Sequence, residues 1–166
     1  LTARVVLVAQ HYRSDLRERA RPHLLRLHES TGETVALFAR DGLRIAAIDV
    51  IERNHPLRVS IPPGTEVSLT DDMCASYLAF ADPAERRRIW ARRRFPMTER
   101  QIRQAQRQGY YEIAGTYPGM IGLGAPIRDD GRALAAALVV VAPIARATAA
   151  FRRQTGTLLA DSAASL

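Results

Sequence analysis

The residue types that most often do chemistry are sparse in this chain: one cysteine, Cys74, and four histidines, His11, His23, His28 and His55. No two of the histidines stand four apart, the spacing that sets two imidazoles on one helical face, and a single cysteine builds neither a disulfide framework nor a Cys-rich metal knuckle. No metal and no cofactor is expected. A nucleophile elbow of the G-x-S-x-G type is missing as well, and Cys74 has no histidine near it in sequence to act as its base. As a small residue close to a predicted helix start it reads as packing, so no catalytic residue is assigned. Only a histidine brought beside Cys74 by the fold would revive an enzyme.

Two further patterns invite a ligand. Gly119, Gly122 and Gly124 follow a G-x-x-G-x-G spacing, whereas a dinucleotide loop needs G-x-G-x-x-G opening a helix whose amides face a pyrophosphate. Here the segment runs on into Ala125-Pro126-Ile127, which reads as strand. Glycines so placed mark a bulge or a close approach by a ligand or another backbone. The second pattern is Arg86-Arg87-Arg88-Ile89-Trp90-Ala91-Arg92-Arg93-Arg94. A nucleic-acid reader needs such cations in one stripe, but at about 100° per residue they spread around a helix while Ile89 and Trp90 share an anchoring sector. A solvated helix packed on one turn is expected, with an acidic partner or a subunit contact as the alternative. All 24 basic residues are arginine against 17 acidic ones, a net charge of +7. In an alanine-rich chain this reflects coding bias more simply than a dedicated binding surface.

The elements that must position these residues show in periodicity and punctuation. Residues 2–12 read as a short helix begun by Thr2. Ser14 then caps a second, in which Leu16, Ala20, Leu24 and Leu27 recur at helical spacing, Pro22 kinks or divides the pattern, and Gly32 ends it. Alternating runs follow at Thr34–Ala39 and Leu43–Ile51, joined by Asp41-Gly42 as the two residues of a tight hairpin turn. A loop-like stretch precedes a short strand near Glu66–Leu69. Three capped helices come next: Met73–Ala81 behind Asp71 or Asp72, one opened by Asp82-Pro83-Ala84-Glu85, and one opened by Thr98-Glu99-Arg100-Gln101 and closed by Gly109. Strands at Tyr110–Thr116, Met120–Arg128 and Ala133–Ala142, with a turn at Asp129-Asp130-Gly131, lead to a closing helix from about Ala145 to Leu159. Hairpins segregated from helices indicate an α+β fold, an antiparallel sheet covered by helices.

Composition agrees with one domain: 166 residues, 47% hydrophobic and 25% charged, suit a single core and argue against disorder. No apolar run approaches the roughly 18 residues that span a bilayer, the N-terminus lacks a signal-peptide plan, and the cysteine usage suits a reducing, cytoplasmic setting.

The order of short motifs adds more than their types. Thr31-Gly32-Glu33-Thr34-Val35-Ala36-Leu37, Arg40-Asp41-Gly42, Pro56-Leu57-Arg58-Val59 with Gly64, Leu78-Ala79-Phe80, Ile102-Arg103 with Gln108-Gly109-Tyr110, Pro118-Gly119-Met120 with Ala125-Pro126-Ile127, Gly131 and Ala136-Ala137-Leu138 together resemble the effector-binding domain of IclR-type transcriptional regulators, in the family's order from about Leu1 to Ala147. The resemblance implies a GAF- or profilin-like domain with a central antiparallel sheet of about six strands, a small-molecule pocket on one face, and helices on the other used in assembly as homodimer or tetramer. Leu1-Thr2-Ala3-Arg4-Val5 looks like the family's interdomain helix, so residues 1–13 are expected to be a linker and 14–166 the effector-binding domain. Operator DNA would be met only through a winged helix-turn-helix domain that this chain lacks.

The same resemblance assigns the pocket to Asp72, Met73, Cys74, Ala75, Ile113, Met120, Gly122, Val139 and Val141. Where the family commonly has Gly-Lys-Ala, with backbone amides meeting the effector, this chain has Cys74-Ala75-Ser76. Where some members have a cysteine it has Gly122, and serines that touch polar effectors are matched by Val139 and Val141. The family's acidic position after Gly-Tyr falls near Glu112 to Ala114. Losing hydroxyl donors disfavours a buried, unpaired charge. The expected effector is thus a rather apolar or aromatic acid whose carboxylate reaches the Asp72–Ala75 amides. The competing reading is a dimerisation scaffold whose pocket has degenerated. No membrane partner is expected.

Overall fold

The computed structural model describes residues 3–166 except 53, 92–93, 115–117 and 131, with side chains from residue 13 onward apart from that of residue 114. A helix, α1 (Ala3–Thr31), leads into a hairpin, β1 (Thr34–Asp41) and β2 (Arg44–Ile51), and then the short β3 (Glu66–Ser68). Three helices follow, α2 (Asp72–Leu78), α3 (Pro83–Ile89) and α4 (Glu99–Gln108). The chain closes with β4 (Tyr111–Ala114), β5 (Met120–Arg128), β6 (Leu134–Pro143) and α5 (Ala149–Ala164). The strands form one six-stranded sheet in the order β3-β2-β1-β6-β5-β4, every neighbouring pair antiparallel.

Strand alternation divides the core into two layers. Val35 and Leu37 of β1 with Ala136, Leu138 and Val140 of β6 face α1 and α5, while Ala36 and Phe38 with Ala137 and Val139 face α2, α3 and α4. β1 and β6 occupy the middle of the sheet and are buried on both sides, which is why they read as nearly continuous apolar runs. Helices thus cover both faces, not only the one opposite a pocket.

α1 corrects the expectation of two helices. It runs unbroken through Ser14, which is exposed and helical, and through Pro22. Proline deletes one backbone hydrogen bond, but buried Leu16 and Ala20 before it and Leu24 and Leu27 after it hold both halves against the sheet. Each such leucine contributes about 1.5–3 kcal/mol, enough to offset the break. Arg17 (3.6 Å) and Arg21 (2.7 Å) both reach the buried Asp49 of β2, and Gly32 at φ 64° stops the helix as predicted. The Thr2 cap and the apolar side chains of residues 2–12 lie outside the described side chains.

Other boundaries moved for identifiable reasons. The hairpin loop is Gly42-Leu43, because Asp41 already pairs with Arg44. Among the described residues only Gly42 of that loop has positive φ, at 57°, the pattern of a type II′ connection. α5 starts four residues later than predicted because Thr148 caps it, accepting from the Phe151 amide at 3.1 Å. Asp82 caps α3 through the Ala84 amide at 2.7 Å, but Glu85 turns to the half-buried Arg40 at 2.7 Å instead of closing a capping box. The capping box of Thr98 and Gln101 and the left-handed Gly109 stand as read. The strand predicted from Tyr110 begins at Tyr111. Gly115 and Thr116 at its far end, like Gly131 of the β5–β6 turn, lie outside the described residues.

The arginine run does not form one solvated helix. α3 ends at Ile89, and Arg86 is buried, donating to the carbonyls of Ala79 (3.0 Å) and Ala81 (2.8 Å), which follow α2 and lack helical partners. Ile89 and Trp90 anchor the segment, with the indole N–H on the Leu69 carbonyl at 3.2 Å. Arg87 and Arg88 are exposed, and Arg92 and Arg93 lie outside the described residues.

Candidate functional site

Between α2 and the sheet lies a cavity of about 320 Å³, at the small end of the range for ligand pockets. Its floor is a consequence of register. Val141 pairs with Gly122 and Gly122 with Ile113; one step along, Val139 pairs with Gly124 and Gly124 with Tyr111. In each row a glycine on β5 leaves room for a large β4 side chain to fold across it. A Cβ at Gly124 would stand 2.4 Å from the Tyr111 ring, and one at Gly122 would stand 3.2 Å from Ile113 Cδ1. The glycines that resembled a phosphate loop therefore shape a hollow in a sheet.

Met73 and Cys74, four and three residues before Tyr77 and so on the same side of α2, roof the hollow with it, and Phe38 and Ile45 of the hairpin line it too. A lip of Val59, Ser60, Ile61 and Pro62 completes the wall. Glu52 fixes the lip, accepting from the Ser60 hydroxyl (2.6 Å), the Ile61 amide (3.1 Å) and Arg58 (3.3 Å). These bonds, the Ser60 hydroxyl foremost, hold the Glu52 carboxyl below its ordinary pKa. The Thr34 hydroxyl ties the lip to β1 through the Val59 carbonyl at 2.6 Å. Ser76 ties α2 to β4 through the Glu112 carbonyl at 3.0 Å.

Of the residues singled out from sequence, Met73, Cys74, Ile113, Met120, Gly122, Val139 and Val141 all line the cavity. Asp72 and Ala75 do not: Asp72 is exposed, and Ala75 is buried elsewhere in the core. The expected amide cradle is reduced further because the Cys74 N–H donates to the Asp71 carbonyl at 2.9 Å. Sequence reasoning missed Phe38, Ile45, Thr65, Val67, Tyr77, Tyr111, Ile121 and the lip. Phe38 and Tyr77 had a usable signal in their two-residue and four-residue spacing; the lip, an irregular segment, had none.

Apart from the Ser60 and Thr65 hydroxyls, which donate to Glu52 and to the Pro62 carbonyl, the polar side chains on the walls are weak acids. Burial, and then the Asp71 charge, push the Cys74 thiol up to about 12, so it is not a thiolate at neutral pH. Tyr77 and Tyr111 are raised above the ordinary phenol range, chiefly by burial. Their rings meet edge to face at 6.4 Å, with Phe80 5.9 Å from Tyr111. The Tyr77 hydroxyl is buried without a hydrogen-bond partner. No described histidine is bonded to Cys74: His23 meets Arg26, His28 the Glu33 carbonyl and His55 the Leu57 amide. Among the described residues no three metal-ligating side chains cluster, and no helix is long and apolar enough to cross a membrane.

Residues 8–166 match the family model described as the C-terminal domain of the bacterial transcriptional regulator IclR. The HTH-type transcriptional regulator BhcR of Paracoccus denitrificans (strain Pd 1222) is 32% identical over 147 residues, 81% of this chain and 53% of that protein. The chain thus spans about half the length of this curated relative. The crystal structure of the Thermotoga maritima IclR superposes with a TM-score of 0.80 at 20% identity, covering 97% of this chain and 71% of that one. The C-terminal domain of the Escherichia coli regulator KdgR gives 0.70 at 21% identity, covering 90% and 94%. These structural likenesses establish a shared GAF/profilin-like α+β fold. The family and the curated relative are transcriptional regulators, not enzymes.

Proposed function

We propose, on the premise that this chain belongs to the IclR family of bacterial transcriptional regulators as a C-terminal domain, that the cavity under α2 receives a small-molecule effector with a mainly apolar or aromatic body. The observation that carries this is the lining: aliphatic, aromatic and sulfur side chains from strands, helix and lip converge on one partly open hollow of ligand size.

An effector alters a regulator only by binding one of its states better than another. The same strands that floor the cavity back the other layer: Val139 and Val141 face it while Val140 packs under α1 and α5. α1 is clamped to the hairpin at Asp49 and, through Arg13, at Asp41 (2.9 Å). A ligand that shifts these strands is felt at α1. In this reading residues 1–13 link to a winged helix-turn-helix domain that meets operator DNA, residues 14–166 sense the effector, and the cytoplasmic protein works as a homodimer or tetramer.

The test is thermal shift of this chain against aromatic acids, neutral aromatics and short oxoacids, followed by isothermal titration. Binding to the folded state alone stabilises by about 2.7 kcal/mol at one hundred times Kd. Aromatic compounds are expected to raise Tm. Preference for short oxoacids overturns the apolar effector, and no shift from any compound returns the domain to a scaffold with a degenerate pocket.

A further inference from the structure

The net charge is concentrated in one stretch. Residues 84–108, which hold most of α3 and all of α4, contain nine arginines and two glutamates, a difference of +7 that equals the charge of the whole chain. The other 15 arginines are matched by 15 acidic residues (24 − 9 against 17 − 2). The structure repeats the division. Outside the stretch, Arg21 meets Asp49 at 2.7 Å, Arg44 meets Glu66 at 2.9 Å and Arg58 meets Glu52 at 3.3 Å. Inside it, Arg86 is turned inward to two carbonyls. Arg87, Arg94, Arg100 and Arg107 are exposed and form no ion pair among the described residues, and Arg88 and Arg103 reach Glu85 and Glu99 only at 3.9 Å. Coding bias accounts for arginine in place of lysine. It does not gather uncompensated arginines into one layer of the fold.

On α4 the cations fall in a row. Arg100, Arg103 and Arg107 stand three and four apart, within a sector of about 60° and over about 10 Å of helix, on the side away from buried Ile102 and Ala105. Like charges at these spacings weaken a helix, so the row does not serve the stability of α4. α3 continues the surface, since exposed Arg87 lines a cleft together with Glu99 and Ile102 of α4. Two adjacent residues of β1 fix where this layer lies. Arg40 holds Glu85 of α3 at 2.7 Å on one face of the sheet, and Asp41 holds Arg13 of α1 at 2.9 Å on the other. α1 therefore leaves the sheet at the end where α3 sits, and its helix runs on through Ala3–Tyr12, about 15 Å. The basic layer thus sits at the end of the domain from which, in the reading above, the chain leads to a DNA-binding module. We infer that the α3–α4 surface binds the phosphate backbone of duplex DNA without reading its sequence, as a second DNA contact beside the winged helix-turn-helix domain. A row of arginines along one helix is the electrostatic footprint of such a contact. This inference rests on the reading that α1 links to a DNA-binding domain and is independent of what the cavity receives.

The probe is a fluorescently labelled duplex of about 20 bp and arbitrary sequence, titrated with this chain between about 50 and 200 mM salt and read by anisotropy. Binding is expected, with log K falling against log salt at a slope of about −4 to −5, the value for about four to six neutralised phosphates. Arg100→Gln, Arg103→Gln and Arg107→Gln combined should weaken binding at least about tenfold and reduce the slope by about 2.5–3, with Tm reporting that the fold persists. Arg19→Gln, Arg26→Gln and Arg153→Gln combined remove the same charge from exposed positions of α1 and α5 and should leave binding nearly unchanged. Equal weakening by the two triple variants, or no duplex binding at about 50 mM salt, overturns the proposal. Capture of a poly-glutamate peptide that the duplex does not displace also overturns it and assigns the surface to an acidic protein segment. None of these outcomes moves the effector titrations, so the cavity stands or falls by its own thermal-shift test.

Discussion

Gly124 lies one layer beneath the cavity wall, and its replacement by alanine is the sharpest perturbation the sheet offers. The added Cβ would stand 2.4 Å from Tyr111 Cζ, 2.6 Å from its hydroxyl oxygen and 2.7 Å from Cε2. The ring is 4% exposed and is boxed by Phe80 at 5.9 Å and Tyr77 at 6.4 Å, so it can yield only toward the cavity that it lines. Overpacking of this kind costs about 1–3 kcal/mol. Alanine recovers about 0.5–1 kcal/mol of the conformational penalty that glycine carries in a strand. The net expectation is a loss of roughly 0.5–2 kcal/mol, a fall in Tm of about 1–8 °C for a chain of this size. Urea denaturation of the wild type, Gly124→Ala, Tyr111→Val and the double variant measures it. In the Tyr111→Val background, with the ring withdrawn, Gly124→Ala should become neutral or stabilising. A Gly124→Ala cost that is unchanged in that background, or no cost in the wild type, refutes the idea that the ring needs the glycine beneath it. Gly122→Ala is the graded control, because its closest contact, 3.2 Å, is the flexible end of Ile113, and its effect should be smaller.

Further outcomes follow from the same geometry. Cys74, buried and pushed up to about 12, should react with a disulfide reagent at pH 8 far more slowly in the native state than in urea; equal rates would contradict its burial. Glu52 has a folded pKa below its unfolded value, so its contribution is present above the ordinary carboxylate range and is lost as pH falls through the folded value. Protection of the Ile61 amide should decline on acidification in the wild type and lack that transition in Glu52→Gln; a Glu52 titration at or above the ordinary value, read by NMR, would reverse this. Arg86→Met should destabilise by about 1–3 kcal/mol in urea, because it takes the side-chain donor from the Ala81 carbonyl and leaves the Ala79 carbonyl with the Gln106 amide alone, whereas exposed Arg87→Met should change little. Equal effects would return the run to a solvated face.

What could be read from sequence was whatever local chemistry decides. The Thr98–Gln101 box, the Gly109 stop and the span Met120–Arg128 need only neighbours in the chain, and each stands where the pattern put it. Misreadings arose where a distant partner overrode a local preference. Ser14 is a good cap that was not needed, because Leu16 through Leu27 hold one long helix to the sheet. Glu85 fits a capping box but finds Arg40, and Arg86 resembles its exposed neighbours but finds two carbonyls. On the cavity walls, Val139 and Val141 share a strand face by simple alternation. Tyr111 over Gly124 depends on a register between β4 and β5 that no local pattern encodes. The lip at residues 59–62 is irregular backbone held by Glu52 and Thr34, and nothing in its composition announces a wall.

The most direct measurement of the effector site is a set of intermolecular nuclear Overhauser effects between a bound aromatic compound found by thermal shift and the methyl groups of the protein. Contacts to Met73, Ile113, Val139 and Val141, which line the cavity, are the expected result. Contacts confined to Leu25 and Leu158, exposed at 43% and 41% on α1 and α5, would contradict it by placing the ligand on the other layer of the domain.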